Sequence, residues 1–551
     1  MENETYNRHH SLAATSGIML WLTLSIAYMS QCILFIAGIG VTAWAFPAAF
    51  LLAASSTRLW SKDTRQLLQA AAVNITLITS FILFCSFIED YSYDGNYYHQ
   101  EIIARLLAGW NPFYGNPVDD TSLWVSHYAK GVEIVEADIA AACGMIEGGK
   151  AFNLILITAT GLSGYAFLGR FEQLRPVKRR LPLLLLFILN PVGVTQSFTF
   201  YIDYTKYYYL LLTLMLLYRL REEYTVRDLS LLASVIILAI GTKFNIFFEE
   251  GVVLLLAIAW FFATGKRRLA SRLVATGLVA LILGACVAGY HPYVTNYLTR
   301  SHPLFPLMGE GAADIMSTNT PECFTDNNRV INFFISLFSV NAPTYDGRSG
   351  AFSPLMPLML LLSGAMLIYY RKRIPGAIIY IAICTLVSCF FFEQSWWARY
   401  ICQLWLIPPL AVMGVMLVSA AKCRIAIWTI ITCGLIAATA GLVRTVYPAL
   451  ANTVFRHCLY DRLKGKEVTT YNTSLQMIRH LDEHSINAVS KPVESMPPGS
   501  CHAYYYGSDD PDYFQMIEIS PDDYNSMTYH PLAKSFNFNK RLYIATYNND
   551  K

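Results

Sequence analysis

The sequence predicts an all-α polytopic membrane protein of about thirteen transmembrane helices, with an outer juxtamembrane helix and a small C-terminal α+β appendage. Three observations predict it. The 551-residue chain is 55% hydrophobic and only 14% charged, against roughly 25% charged residues in a soluble protein. Apolar runs recur at close to the ~20 residues that one crossing requires. Short basic clusters separate them, and after residue 448 the composition turns polar. The net charge of +3 is uninformative, and no nucleic-acid partner is expected.

Taken in order, the apolar runs are 17–35, 37–55, 67–88, 150–169, 181–199, 206–219, 229–242, 246–264, 273–291, 353–370, 375–392, 400–420 and 425–447. Between them lie Arg58/Lys62/Arg65, Arg170/Arg175/Lys178/Arg179/Arg180, Arg219/Arg221/Arg227, Lys266/Arg267/Arg268/Arg272, Arg371/Lys372/Arg373 and Lys422/Arg424. Cytoplasmic loops carry the excess of Lys and Arg, so these clusters are expected inside. The N-terminus is then cytoplasmic, and the C-terminus lies on the outer face. The first run follows Arg8-His9-His10 without a small-residue cleavage site, so it reads as a retained span. Short loops and that reading favour a bacterial inner membrane. Residues 1–447 form the membrane part and 448–551 an outer domain.

Of the twelve cysteines, most lie within apolar runs and read as packing residues. Cys143, Cys323, Cys458 and Cys501 fall on the expected outer side, where a Cys458–Cys501 disulfide would staple the tail. No metal-type Cys/His spacing is present.

Three outer segments, 89–149, 292–352 and 448–551, are long enough to carry function. The first opens with Glu89, Asp90 and Asp94, directly after a span. Carboxylates there can serve as bases on a hydroxyl substrate while a lipid-borne partner approaches from the bilayer. Asp94 is placed to cap a helix running to Leu107. Ile102, Ile103, Leu106, Leu107 and Trp110 form its apolar stripe, so it is expected to lie in the membrane plane with Tyr97 and Tyr98 at headgroup level. The second segment, from His291-Pro292 through His302-Pro303, is Pro- and aromatic-rich and reads as a cap over span ends. In the tail, Ser508–Asp512 and Pro521–Asp523 read as polar turns and Arg541–Tyr547 as a short strand. Trp396 and Trp397 read as an interfacial belt.

The run Asp94-Gly95-Asn96-Tyr97-Tyr98-His99-Gln100-Glu101-Ile102-Ile103-Ala104-Arg105 resembles the acidic first-loop motif of the GT-C superfamily, polytopic glycosyltransferases that use polyprenyl-phosphate sugars. The aminoarabinose- and mannosyltransferase-like branches commonly read D-E there; here Gly95 replaces the second acid, and Glu89-Asp90 precede. Further stretches resemble the same family: Tyr128–Gly131 with Ile146–Asn153, Asn190-Pro191-Val192 followed by Phe200-Tyr201-Ile202-Asp203, and Gly241-Thr242-Lys243-Phe244. Together they cover most of 67–420, while the tail matches nothing. The resemblance implies sugar transfer from a polyprenyl-phosphate donor to a cell-envelope glycan or lipid acceptor, with inversion. It implies a base, Asp94 or else Asp90, and cations for the departing phosphate: Lys206, Lys243 and Arg399. Asp203 would position the acceptor, or bind a divalent cation such as Mg or Mn with the first-loop acids. His99, His302 and Glu89 are candidate substrate contacts. The competing readings are an envelope-polysaccharide polymerase or ligase and, further off, a transporter or flippase. A transporter places ionisable residues mid-span and shows inverted repeats, neither of which is visible here.

Overall fold

The apolar runs fold as helices, because a backbone withdrawn from water must satisfy its N–H and C=O groups within its own segment. A computed structural model describes residues 2–115, 122–314, 319–348, 352–418, 421–506, 515–528 and 544–546. Six helices among these are long and apolar enough to cross a membrane: Ser11–Ile36, Thr64–Phe87, Ile146–Leu168, Phe244–Ala263, Arg267–Ala288 and Arg424–Leu463. The chain is a multi-pass integral membrane protein. Shorter apolar helices, Met356–Tyr369, Gly376–Ser388 and Cys402–Leu417, pack with them, as do Thr205–Glu222 and Val226–Thr242. The first helix lies at the centre, with Met19, Leu20, Leu24, Ala27 and Phe35 fully buried.

Six helices of spanning length among the described residues stand against the thirteen expected, and three of the predicted spans show the plainest departures. In 37–55 only Ala45–Ser56 is helical, 12 residues, or about 18 Å at 1.5 Å per residue, short of a ~30 Å hydrocarbon core. In 181–199 the helix Val177–Ile188 stops before Asn190-Pro191. A residue preceding proline is pushed out of the α region, and Asn190 Oδ1 instead accepts Val192 N at 2.9 Å, capping the short helix Pro191–Gln196. The last span does not end at 447. It continues to Leu463 as one 40-residue helix with Pro448 inside.

That helix leads into a five-stranded sheet of order β2-β1-β4-β3-β5: β1 Glu467–Tyr471, β2 Asn487–Lys491, β3 Cys501–Tyr506, β4 Gln515–Ile519 and β5 Ile544–Thr546. β1 and β2 run parallel and the other pairs antiparallel. The predicted 541–547 strand is seen as β5, Ile544 pairing with Ala503; its other residues, like the 508–512 turn, lie outside the described residues. Pro521–Asp523 opens the helix Pro521–Thr528 rather than a turn, with Asp522 and Asp523 favourably placed at its positive end. Cys458 and Cys501 do not form a disulfide.

The juxtamembrane helix turns its apolar stripe into the protein and not toward lipid. Ile102, Ile103 and Leu106 are fully buried, and its polar face is covered as well. Gln476 N of the tail helix Leu475–Glu483 donates to Glu101 Oε2 at 3.0 Å, and His480 Nε2 meets Gln100 Oε1 at 2.8 Å.

Candidate active site

Asp94 stands at the head of that helix, but it is not a helix cap. Its carboxylate makes no bond to the first-turn amides; Gly95–His99 form a π-turn, a form that often marks functional positions. Asp90 instead holds the chain just ahead of the helix. Its Oδ1 accepts Ser92 N at 2.7 Å, and its Oδ2 accepts Ser92 Oγ at 3.0 Å and Phe200 N at 2.9 Å. Fully buried and bonded through both oxygens, Asp90 ties the first loop to the 197–204 segment and is not placed to take a substrate proton. This arrangement accounts for Gly95. A Cβ there would lie 2.0 Å from Asp90 Oδ2 and 2.4 Å from Ser92 Oγ, so no acid fits beside Asp94. Gly95→Ala should therefore lower the melting temperature by an amount equivalent to about 1–3 kcal/mol, the cost of orphaning buried partners. A melt indistinguishable from wild type would contradict that.

Asp203 and Lys243 come from backbone breaks. Asp203 sits in the turn before Thr205–Glu222. Asn153 steadies the chain ahead of it, its Nδ2 donating to Thr199 O at 2.7 Å. Lys243 is the single extended residue between the helices Val226–Thr242 and Phe244–Ala263. Gly241 makes the approach possible: a Cβ there would stand 2.1 Å from Tyr28 Oη, and one on Gly131 would stand 2.8 Å from the Gly241 carbonyl. Lys243 Nζ bonds Asp203 Oδ1 at 2.6 Å.

Arg399 joins these groups. Its Nη1 lies 2.9 Å from Asp94 Oδ2 and 3.5 Å from Asp203 Oδ2, and its Nη2 lies 3.8 Å from Asp346 Oδ1. The guanidinium packs 4.2 Å from the Trp397 ring and 5.2 Å from Tyr201. Trp396 and Trp397 are buried and stacked at 5.2 Å. They support Arg399 from within the protein and do not form a lipid-facing belt. Asp94, Asp203, Lys243 and Arg399, four residues spread over 306 positions of chain, thus form one ion cluster. Of the two acids nearest Arg399, Asp94 is the more accessible, its side chain 17% exposed against 1% for Asp203; Asp346, farther off, is 25% exposed.

Burial acts to raise the Asp203 pKa, but Lys243 and Arg399 outweigh it and hold the carboxyl below its usual value. A depressed folded-state pKa gives stability that is present above the unfolded value, near 4 for Asp, and lost as pH falls through the folded one. Wild type should then lose melting temperature below about pH 4 more steeply than Asp203→Asn. Parallel melting curves from pH 7 to pH 3 would refute the pairing.

The remaining candidates lie elsewhere. Lys206 Nζ bonds Glu249 Oε1 at 2.8 Å and donates to Tyr400 O, and Tyr400 is 5.9 Å from Lys243 Nζ. His99 is buried, with Nδ1 on Glu133 Oε1 at 2.7 Å and its ring 6.5 Å from Tyr201, so it meets the site only through that wall. His302 serves its own loop, its Nδ1 accepting Leu304 N at 3.2 Å. Glu89 faces away from the site and pairs with Arg456 Nη1 at 3.0 Å.

A divalent cation between Asp203 and the first-loop acids does not match the donor set, because the Arg399 guanidinium takes that position. Among the described residues, Glu89, Glu147 and His480 bring donor atoms within 4.8 Å of one another. There Arg456 faces Glu89, and Lys150 pairs with Glu147. His480 is held neutral, burial pulling it down to about 3. That cluster is a charge-balanced ion-pair node.

Asp346 is the group that the sequence reading missed. It lies in the second outer segment, its Oδ2 3.1 Å from Arg348 Nε. Trp397 Nε1 donates to its carbonyl at 2.6 Å. The only sequence signal was an acid between Tyr345 and Gly347 within an otherwise Pro- and aromatic-rich cap.

Below Lys206 an apolar groove of about 1080 Å³ runs between the helices Thr205–Glu222, Phe244–Ala263 and Gly376–Ser388, lined by Leu210, Ile246, Glu249, Trp260 and Tyr380 among others. Lys206 and Arg221 mark its extent. Fifteen residues of helix separate them, about 22 Å.

No protein-family model and no curated protein matches the chain. Among solved structures it is similar to ArnT from Cupriavidus metallidurans bound to undecaprenyl phosphate, with 13% identity, 81% of this chain and 96% of that chain covered, and a TM-score of 0.42.

Proposed function

We propose that this protein is a membrane glycosyltransferase that moves one sugar from a polyprenyl-phosphate carrier to a hydroxyl of a cell-envelope glycan or lipid, with inversion. The observation that carries this reading is the placement of an accessible carboxylate, Asp94, against Arg399, which also reaches the Asp203–Lys243 pair, with Lys206 at the edge of an apolar groove. Arg399, Lys243 and Lys206 supply positive charge where a lipid phosphate would sit, and the groove below Lys206 suits an isoprenoid chain. The acceptor oxygen attacks the anomeric carbon. The bond from that carbon to phosphate oxygen breaks with its electron pair left on the phosphate, and the hydroxyl proton passes to Asp94. Preorganised cations at the leaving phosphate stabilise charge that develops in the transition state. Arg399 is engaged with Asp94 in the free protein, so an arriving phosphate competes for the guanidinium and releases the base. The bacterial inner membrane and an outward-facing site belong to the same reading, supported by the distribution of basic loops.

Mass spectrometry of envelope glycans with and without the gene tests it: one missing mass increment is expected, and it names the sugar. Unchanged glycan masses, together with no binding of polyprenyl phosphate by the purified protein, would overturn the reading. The groove gives a narrower expectation. Leu210→Trp should raise the KM for a long-chain donor roughly tenfold, about 1.4 kcal/mol, while a donor with a shortened lipid is used as well as by wild type. Equal effects on both donors would remove the groove as the lipid site.

A further inference from the structure

We propose that the C-terminal sheet is a positioning element for the catalytic loop, acting through Arg456. This rests on the reading of Asp94 as the base. Arg456 lies on the membrane-exiting helix Arg424–Leu463 and is buried. Its guanidinium makes three bonds at once: Nη1 to Glu89 Oε2 at 3.0 Å, and Nη2 to both Asn96 Oδ1 and Tyr505 O at 3.0 Å. The Tyr505 ring packs 4.1 Å from the same guanidinium. One side chain therefore ties the residue preceding Asp90, the residue two beyond Asp94, and strand β3.

The surrounding contacts have the same direction. Glu89 N donates to Thr453 Oγ1 at 2.9 Å, and Asn452 Nδ2 donates to Asp90 O at 2.9 Å. Gln476 Nε2 donates to Asn96 O, Gln476 N to Glu101 Oε2, and Ile146 N to Glu483 Oε1. The loop bearing Asp94 is thus held from one side by Asp90 and from the other by the tail. Among the described residues the tail contributes no group to the ion cluster around Arg399. Its bonds run instead to the backbone and side chains that fix the π-turn carrying the base. A planar fork is required for this, since an ammonium offers one point charge and cannot reach Glu89, Asn96 and the Tyr505 carbonyl together.

The test uses the full chain in lipid nanodiscs and the variants Arg456→Lys and Asn452→Ala. Amide hydrogen exchange over residues 92–101 is expected to rise about tenfold in both, with exchange in the helix Phe244–Ala263 unchanged. With a polyprenyl-phosphate sugar, kcat should fall about tenfold while donor KM moves less than about threefold, since a misplaced base loses transition-state interactions and not donor binding. Unchanged exchange over 92–101 overturns the proposal, as does a KM rise at constant kcat. Should Arg456→Lys fail to fold, Asn452→Ala removes the tail's bond to Asp90 O and carries the same two readouts. The exchange measurement needs no donor. Absence of transfer in wild type would therefore refute the glycosyltransferase reading, while the loop result would still decide the role of the tail.

Discussion

Asp94→Asn is expected to abolish sugar transfer, lowering turnover by about 10²–10⁴, the worth of general-base assistance, with expression and melting temperature near wild type. The physical reason for so clean a separation lies in the partners. Asparagine keeps an oxygen that can accept the bond from Arg399 Nη1, now at 2.9 Å, and Arg399 retains Asp203 and Asp346. What is lost is the negative charge, one of three facing Arg399, and with it the capacity to hold a proton. Single-turnover transfer from a polyprenyl-phosphate sugar checks this. Wild-type rates in the variant would remove Asp94 as the base. Asp90 would not inherit the role, because its two oxygens are already committed to Ser92 and Phe200.

Arg399→Lys is the second large effect. An ammonium can neutralise one of the surrounding acids but cannot address Asp94, Asp203 and Asp346 together, nor offer a phosphate two parallel N–H groups. The expected loss is about 10²–10³ in kcat, comparable to removing one preorganised donor from a developing anion, with an accompanying rise in donor KM. Arg399→Gln should add a stability defect of about 3–5 kcal/mol, because buried carboxylates then lose their counter-charge. Kinetics together with thermal melts separate the two variants. A lysine variant with unchanged kcat and KM would show that Arg399 serves the fold alone.

Both predictions concern residues that the sequence pointed to, and the reason is instructive. Asp94, Asp203, Lys243 and Arg399 are ionisable groups at the ends of apolar runs. An ionisable residue next to a bilayer is costly and tends to be retained for function, so the hydropathy profile narrows the field, and the motif resemblance singles these four out from their neighbours. The helices were legible for the same reason, since a long apolar run has few other structures open to it. Positions decided by tertiary contacts were not legible. Asp90 and Asp94 are four residues apart with the same chemistry, and only Phe200, 110 positions away from Asp90, distinguishes clamp from base. The apolar stripe of the juxtamembrane helix suggested a lipid-facing surface, whereas tail residues cover its other side. Trp396 and Trp397 look identical in sequence whether they meet lipid or an arginine. Asp346 sits in a segment whose composition predicts only a cap.

The helix Arg424–Leu463 is unbroken from the membrane into the sheet, and this gives the tail a fixed angular phase relative to the bundle. Each residue added to or removed from that helix turns everything beyond it by about 100°. A one-residue deletion between 440 and 448 would therefore aim Arg456 away from Glu89 while leaving the span apolar and insertable. A four-residue insertion brings the direction back to within about 40° but lifts the side chain by about 6 Å. Neither change touches the ion cluster around Arg399, yet both should uncouple it from the loop it depends on.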